Sequence, residues 1–191
     1  MSSTLYIFDF DDTLASTDSH VRVIKSDGSI ERLNSRDFAA YRQEPGDQLD
    51  FSEFDKAEGN PIKASVKDME KAVADHGIDN VYIVTARSVS EPVEEFLVNF
   101  GITVPGVVAT AGSEGKATWL TRQLETKNYE RVVVYEDCNK NIRMLKDTVE
   151  TYNDALKKNV EYSAVCMLPG GRKLTVEKLI RDFIRLNLYN T

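Results

Sequence analysis

The chain has 191 residues, 41% hydrophobic and 29% charged, which suits one α/β domain with a sizeable core. Its net charge of −7 disfavours tight non-specific binding to nucleic acid, which needs many phosphate-neutralising Lys or Arg side chains, though a local basic patch is compatible with it. No run of about 18 apolar residues is present, so no membrane-spanning helix is expected, and the first residues lack the charged-then-apolar pattern of a secretory signal.

Leu5–Phe8 is short, apolar and partly β-branched or aromatic, which predicts a buried strand starting almost at once. It runs into Asp9-Phe-Asp11-Asp12-Thr13-Leu14, three carboxylates and a hydroxyl within five residues. Carboxylates so crowded repel one another unless a cation sits among them. Mg²⁺ takes hard oxygen ligands and carries substrate phosphates on its open positions. The residues therefore read as a strand-end metal site with one aspartate free to attack phosphorus. The plainer alternative is a loop in which Asp12 or Thr13 caps a following helix.

Residues 15–63 interrupt the pattern. Val21–Lys25 and Ser29–Leu33 flank Ser26-Asp27-Gly28, which predicts a β-hairpin. Ser35–Gln43 has the makings of a short helix, and Gly46–Pro61 is acidic, aromatic and irregular, with Phe51 and Phe54 as expected anchors. An insertion directly after the acidic segment is expected either to overhang it or to be a surface elaboration.

Beyond it, apolar runs alternate with helical patterns, the signature of a parallel sheet covered by helices. Strands are expected at Val81–Thr85, Val107–Thr110, Arg131–Tyr135 and Tyr162–Leu168. Helices are expected at Ala64–His76, Glu91–Phe100, Lys116–Thr126, Lys140–Lys158 and Thr175–Leu188. Gly77 and Gly101 read as helix C-terminal glycines, and Ser90 before Glu91-Pro92 as an N-cap. Leu174, Val176, Leu179, Ile180, Phe183, Ile184 and Leu188 have helical spacing, which fits a core-covering helix or a dimer face.

Two of these strands end in chemistry. Val81–Thr85 leads into Thr85-Ala86-Arg87; a threonine there can bond a phosphate oxygen at the edge where open α/β sheets bind ligands, or simply form a turn. Arg87 has the fork to hold a phosphate bidentately, or to pair with an acidic surface residue. Arg131–Tyr135 leads into Glu136-Asp137, so two separate strands deliver acids to one sheet edge. Between them Lys116 opens a helical pattern, where its ammonium can face a phosphate or solvent; Lys127 and Lys140 are the fallback candidates. Cys138 and Cys166 make no disulfide framework, which fits a reduced, cytoplasmic setting. With His20 and His76 the only histidines, a zinc site is not expected.

Taken together, Asp9-x-Asp11-x-Thr13-Leu14, the strand ending in Thr85, the lone Lys116 and the Glu136-Asp137 pair resemble, in order, the four motifs of the haloacid dehalogenase-like (HAD) superfamily. The resemblance runs from Leu5 to Ile142. It implies a Rossmann-like three-layer sandwich with a mainly parallel sheet, residues 1–14 and 64–191 forming the core and 15–63 a small cap. It implies Mg²⁺-dependent phosphomonoester hydrolysis, with Asp9 as nucleophile, Asp11 as general acid/base and Thr13 bracing the loop. Thr85, Ala86, Arg87 and Lys116 would bind phosphate. Mg²⁺ would be held by Asp9, the backbone carbonyl of Asp11 and Asp137, with Glu136 a ligand or an outer acceptor. The chain departs from one common form of the fourth motif, which has Gly before the Asp and a second Asp four places on; here Glu136 and Asn141 stand there. The Asn139-Lys-Asn141-Ile142 segment is expected to hold the Asp137 loop by side-chain hydrogen bonds.

Thr-Ala-Arg also recurs in HAD-like polynucleotide 3′-phosphatases, so a nucleic-acid end stands beside a nucleotide or other small phosphorylated metabolite as the implied substrate. The acidic balance favours the small one. A protein that binds a phosphorylated ligand or a partner without turnover is the other class, and either a monomer or a homodimer is compatible with the chain.

Overall fold

A computed structural model describes residues 3–175, and in it the expected alternation of strand and helix is realised. In chain order the elements are β1 (Thr4–Phe8), β2 (Ala15–Thr17), β3 (Val21–Ile24), β4 (Ile30–Leu33), α1 (Ser35–Ala40), β5 (Gln48–Asp50) and β6 (Gly59–Pro61). There follow α2 (Lys63–His76), β7 (Val81–Thr85), α3 (Glu91–Asn99), β8 (Gly106–Ala109), α4 (Ser113–Thr126), β9 (Arg131–Glu136), α5 (Asn139–Leu156), β10 (Glu161–Leu168) and β11 (Arg172–Thr175).

Six strands form the main sheet in the order β11-β10-β9-β1-β7-β8, parallel except for the β10–β11 pair. A strand buried on both faces needs apolar residues throughout rather than alternation. β1 shows this: Leu5 and Ile7 pack with Leu120, Leu124, Val132 and Val149 on one side, and Phe8 packs with Met69, Val93 and Phe96 on the other. Helices α4 and α5 thus cover one face and α2 and α3 the other. The chain runs from β1 outward through β7 to β8, then returns to place β9 and β10 on the other side of β1. The crossovers reverse direction there, and the crevice at the strand C-terminal ends beside such a switch is where open α/β sheets bind ligands.

Residues 15–61 lie between β1 and α2 as two small sheets. β2 pairs with β6 as a two-stranded ribbon, while β3 lies between β4 and β5. The hairpin expected around Asp27-Gly28 is present, and the Asp27 carboxylate accepts from the Ser29 N–H and hydroxyl. Phe54 is half-buried, whereas Phe51 is exposed, its ring meeting those of Phe38 and Phe54. β5 and β6 were not legible in the sequence because each is three residues long and lacks an apolar alternation.

Helix ends follow local signals. Gly77 and Gly101 both have positive φ, and Gly101 closes α3 with Gly101 N–H to Val98 O and Ile102 N–H to Leu97 O. Ser90 precedes α3, but its side chain makes no capping bond. The expected final helix begins incorrectly: Leu174 and Thr175 extend β11 instead, pairing with Cys166 and Val165. The remainder of that helix lies outside the described residues. Among the described residues no helix is long and apolar enough to cross a membrane.

Candidate active site

Asp9 follows β1 directly, and its N–H donates to Tyr135 O at 2.9 Å, carrying the β1–β9 ladder one residue past the strand. That bond ties the end of β1 to the end of β9, where Glu136 and Asp137 stand. The backbone then turns sharply. Asp12 adopts a left-handed conformation (φ 58°), and the Leu14 and Ala15 N–H groups both return to Phe10 O. A non-glycine residue held there costs free energy that the surrounding structure must supply. The turn keeps Asp9 and Asp11 at the sheet edge while Phe10 is fully buried between them.

Lys116 comes to the same place from α4. Its Nζ donates to Asp9 Oδ1 at 2.6 Å and to Glu136 Oε2 at 2.8 Å, with the lysine 1% exposed. Gly115, the preceding residue, allows this approach: a Cβ there would sit 2.3 Å from Thr110 O. Of the other candidate lysines, Lys127 bonds Asp79 O and Tyr82 Oη instead, and Lys140 is exposed on α5.

Asp9, Glu136 and Asp137 present carboxylate oxygens that all lie within 4.8 Å of one another. Asp9 and Glu136 share the one Lys116 ammonium, and Asp137 stands beside them. Burial, and then the Glu136 carboxylate, push the Asp9 carboxyl well above the ordinary carboxylate range; Lys116 pulls it back and Asp137 adds to the push. Burial works against the charge of Lys116, but Asp9 and Glu136 outweigh it and hold its pKa above the ordinary lysine value. A hard divalent cation fits this donor set, because it takes oxygen ligands and carboxylates above all. Asp9, Asp137 and Glu136 could hold it, with the Asp11 carbonyl nearby in sequence.

Asp11 is held differently. Arg87 Nε donates to its Oδ2 at 2.9 Å and Nη2 to its Oδ1 at 2.8 Å, and Thr17 Oγ1 donates to Oδ1 at 2.7 Å. The rest of the guanidinium is also engaged: Nη1 donates to Phe54 O and Lys56 O, each at 2.7 Å, and Nη2 to Ser19 Oγ at 3.3 Å. These bonds use all five guanidinium N–H groups. The plane also lies near the Phe10 and Phe54 rings, 5.3 and 5.1 Å from their centroids. The fork expected for phosphate or a surface acid is thus occupied by a buried one.

Thr85 is buried at the end of β7; its hydroxyl accepts from Arg87 N–H at 3.2 Å, and its carbonyl accepts from Thr110 Oγ1 at 2.8 Å. Ala86 between Thr85 and Arg87 is exposed. The Thr13 carbonyl accepts from Ser65 Oγ, and its own hydroxyl is buried without a partner among the described residues. Asn141, from the first turn of α5, donates through Nδ2 to Glu136 Oε1 at 3.2 Å, and Cys138 N–H reaches the same oxygen at 3.2 Å. Of the side-chain support expected from this segment, the Asn141 amide reaches Glu136, the residue before Asp137. Thr17, Ser19 and the Phe54 and Lys56 carbonyls carried no signal in the sequence; their part depends on where the inserted segment folds back.

A cleft of about 570 Å³ adjoins the acidic turn, lined by Asp12, Ser16 and Asn34 on one side and Lys63, Leu168 and Gly171 on another. Comparison with family models, with curated proteins and with solved structures finds no match to this chain.

Proposed function

We propose that the chain is a Mg²⁺-dependent phosphomonoester hydrolase working through an aspartyl-phosphate, on a Rossmann-like core with residues 15–63 as a small cap. The observation that carries this reading is the meeting of Asp9, Lys116, Glu136 and Asp137 at the switch point of the sheet, with Asp11 two residues from Asp9. Acidic strand ends and a buried lysine at one point suit a phosphoryl group: a nucleophile, charge neutralisation and an acid are all within reach.

Asp9 attacks phosphorus in line with the leaving oxygen. Lys116 has a third N–H beyond those given to Asp9 and Glu136, and this would meet a phosphoryl oxygen. Asp11 Oδ1 already accepts two donors, whereas among the described residues Oδ2 accepts Arg87 Nε alone. Oδ2 is thus the oxygen with a lone pair left to carry the proton to the leaving group and later to take one from water. Arg87 holds that carboxylate in place and ties it to the cap. Mg²⁺, held by Asp9, Asp137 and the Asp11 carbonyl, would neutralise and orient the phosphoryl group.

The 570 Å³ cleft is lined at the acidic turn by Asp12, next to Asp11 in sequence, and not by Asp9, Asp11, Lys116, Glu136 or Asp137; the leaving group would extend towards it. That volume suits a small molecule. One lysine and one aspartate on its walls offer little to a polyanion, so a nucleotide or other small phosphorylated metabolite is favoured over a nucleic-acid end.

The test is phosphate release from an aryl phosphate, nucleoside 5′- and 3′-monophosphates, sugar phosphates and a 3′-phosphorylated oligonucleotide, with Mg²⁺ and with EDTA. Metal-dependent release that disappears in Asp9→Asn supports the reading. No release from any of them by folded protein that binds Mg²⁺ would sink it and favour a binding role.

A further inference from the structure

Glu136 is held by the protein through both of its carboxylate oxygens. Its Oε2 accepts from Lys116 at 2.8 Å, and its Oε1 accepts from both Cys138 N–H and Asn141 Nδ2 at 3.2 Å. Three donors therefore point at one carboxylate whose side chain is 3% exposed. A carboxylate offers about four lone-pair directions, so little of Glu136 is left for an ion.

Asn141 shows the opposite. The residue is 6% exposed, and its Oδ1 is buried with no hydrogen-bond partner among the described residues. A buried amide oxygen without a partner costs free energy, and native structures rarely carry one without a reason. Turning the amide over would not remove the cost. It would set Oδ1 against the Glu136 carboxylate and leave the N–H₂ group unpaired instead. Through Nδ2 the same amide is bonded directly to Glu136, a member of the Asp9, Glu136 and Asp137 cluster. A neutral carboxamide oxygen is a hard donor of the kind divalent cations accept.

We propose that Asn141 Oδ1 is a ligand of the metal site, and that Glu136 is a brace which orients Asn141 and Lys116 instead of ligating. This rests on the metal-dependent reading above. The arrangement divides the labour: Asp9 and Asp137 bring negative charge, and Asn141 brings an oxygen without adding a further carboxylate to a crowded site.

The experiment is calorimetric titration of metal-free protein with Mg²⁺, for wild type, Asp137→Asn, Asn141→Leu and Asn141→Asp, with folding checked by circular dichroism in EDTA. Asn141→Leu is expected to weaken Mg²⁺ binding about tenfold or more, the scale seen when groups supporting a metal site are removed. Asn141→Asp keeps an oxygen but cannot donate to Glu136, so it is expected to bind Mg²⁺ at least as tightly as wild type. If Asn141 only braced Glu136, the Asp variant would lose affinity as the Leu variant does, and that result overturns the inference. So does wild-type affinity in Asn141→Leu beside weakened binding in Asp137→Asn; the phosphatase reading would survive both. If Asn141→Leu does not fold, the Asp variant alone decides. No saturable Mg²⁺ binding by wild type overturns this inference and the metal site together.

Discussion

Arg87 and Asp11 lie 76 residues apart and meet through two parallel bonds, Nε to Oδ2 at 2.9 Å and Nη2 to Oδ1 at 2.8 Å. The same guanidinium holds the Phe54 and Lys56 carbonyls of the inserted segment. One side chain therefore joins β7, the acidic turn and the insertion, and the position of the insertion is coupled to the orientation of Asp11.

Removing that joint should be costly. Arg87→Met leaves Asp11 buried without its partner and frees two carbonyls, and a loss of about 3–5 kcal/mol is expected for breaking a buried pair. Arg87→Lys keeps the charge but not the fork, and should recover part of the stability and little of the activity. Urea denaturation and Mg²⁺-dependent phosphate release measure the two effects. Arg87→Lys with full activity would show that the fork does not position Asp11.

Lys116 is the sole cation bonded to Asp9 and Glu136 among the described residues. Lys116→Met should destabilise the metal-free protein by about 3–5 kcal/mol, because it leaves two buried carboxylates facing each other. Adding Glu136→Gln should restore a large part of that loss without restoring activity. Chemical denaturation of the single and double variants gives the coupling energy; additive losses would mean that the lysine does not act by compensating these charges.

The raised pKa of Asp9 has a pH signature. A carboxyl whose folded pKa exceeds its unfolded value of about 3.9 adds stability below that value and loses it as pH rises through the folded one. In EDTA, Asp9→Asn should therefore melt above wild type at pH 7–8, with the gap closing as pH falls. A shift of about 3 °C corresponds to roughly 1 kcal/mol in a domain of this size. Saturating Mg²⁺ should narrow or reverse the gap, since it stabilises the carboxylate. A gap that does not change with pH would show that Asp9 titrates normally.

Gly115 sets the approach of α4. In Gly115→Ala the new Cβ would collide with Thr110 O, so the helix start must shift. A cost of about 1–3 kcal/mol is expected for such overpacking, with a fall in kcat as the adjacent Lys116 moves from Asp9. Thermal melts and steady-state kinetics test both. An unperturbed kcat would mean that Lys116 reaches Asp9 independently of this contact.

The strands were readable because burial on both faces of the sheet demands near-continuous apolar runs: Val81–Thr85 has the bounds expected of it, and Leu5–Phe8 differs by one residue. The carboxylates at their exits were readable for the same reason, since an acidic cluster directly after a buried strand must lie at a sheet edge. β2, β5 and β6 were not, because strands of three residues owe their form to pairing partners distant in the chain.

By itself the sequence determined which strand ends carry acids, that Lys116 lies near the start of a helix, though the helix begins at Ser113 and not at Lys116, and that an insertion follows the first acidic turn. Those properties reside in local pattern and spacing. Which acid meets which cation was decided only by the tertiary structure. Lys116 joins Asp9 to Glu136, Arg87 closes on Asp11, and Asn141 supports Glu136. Each pairing depends on strand order, because β1 lies between β7 and β9, and on burial, which makes an unpaired charge at that edge too costly to leave alone.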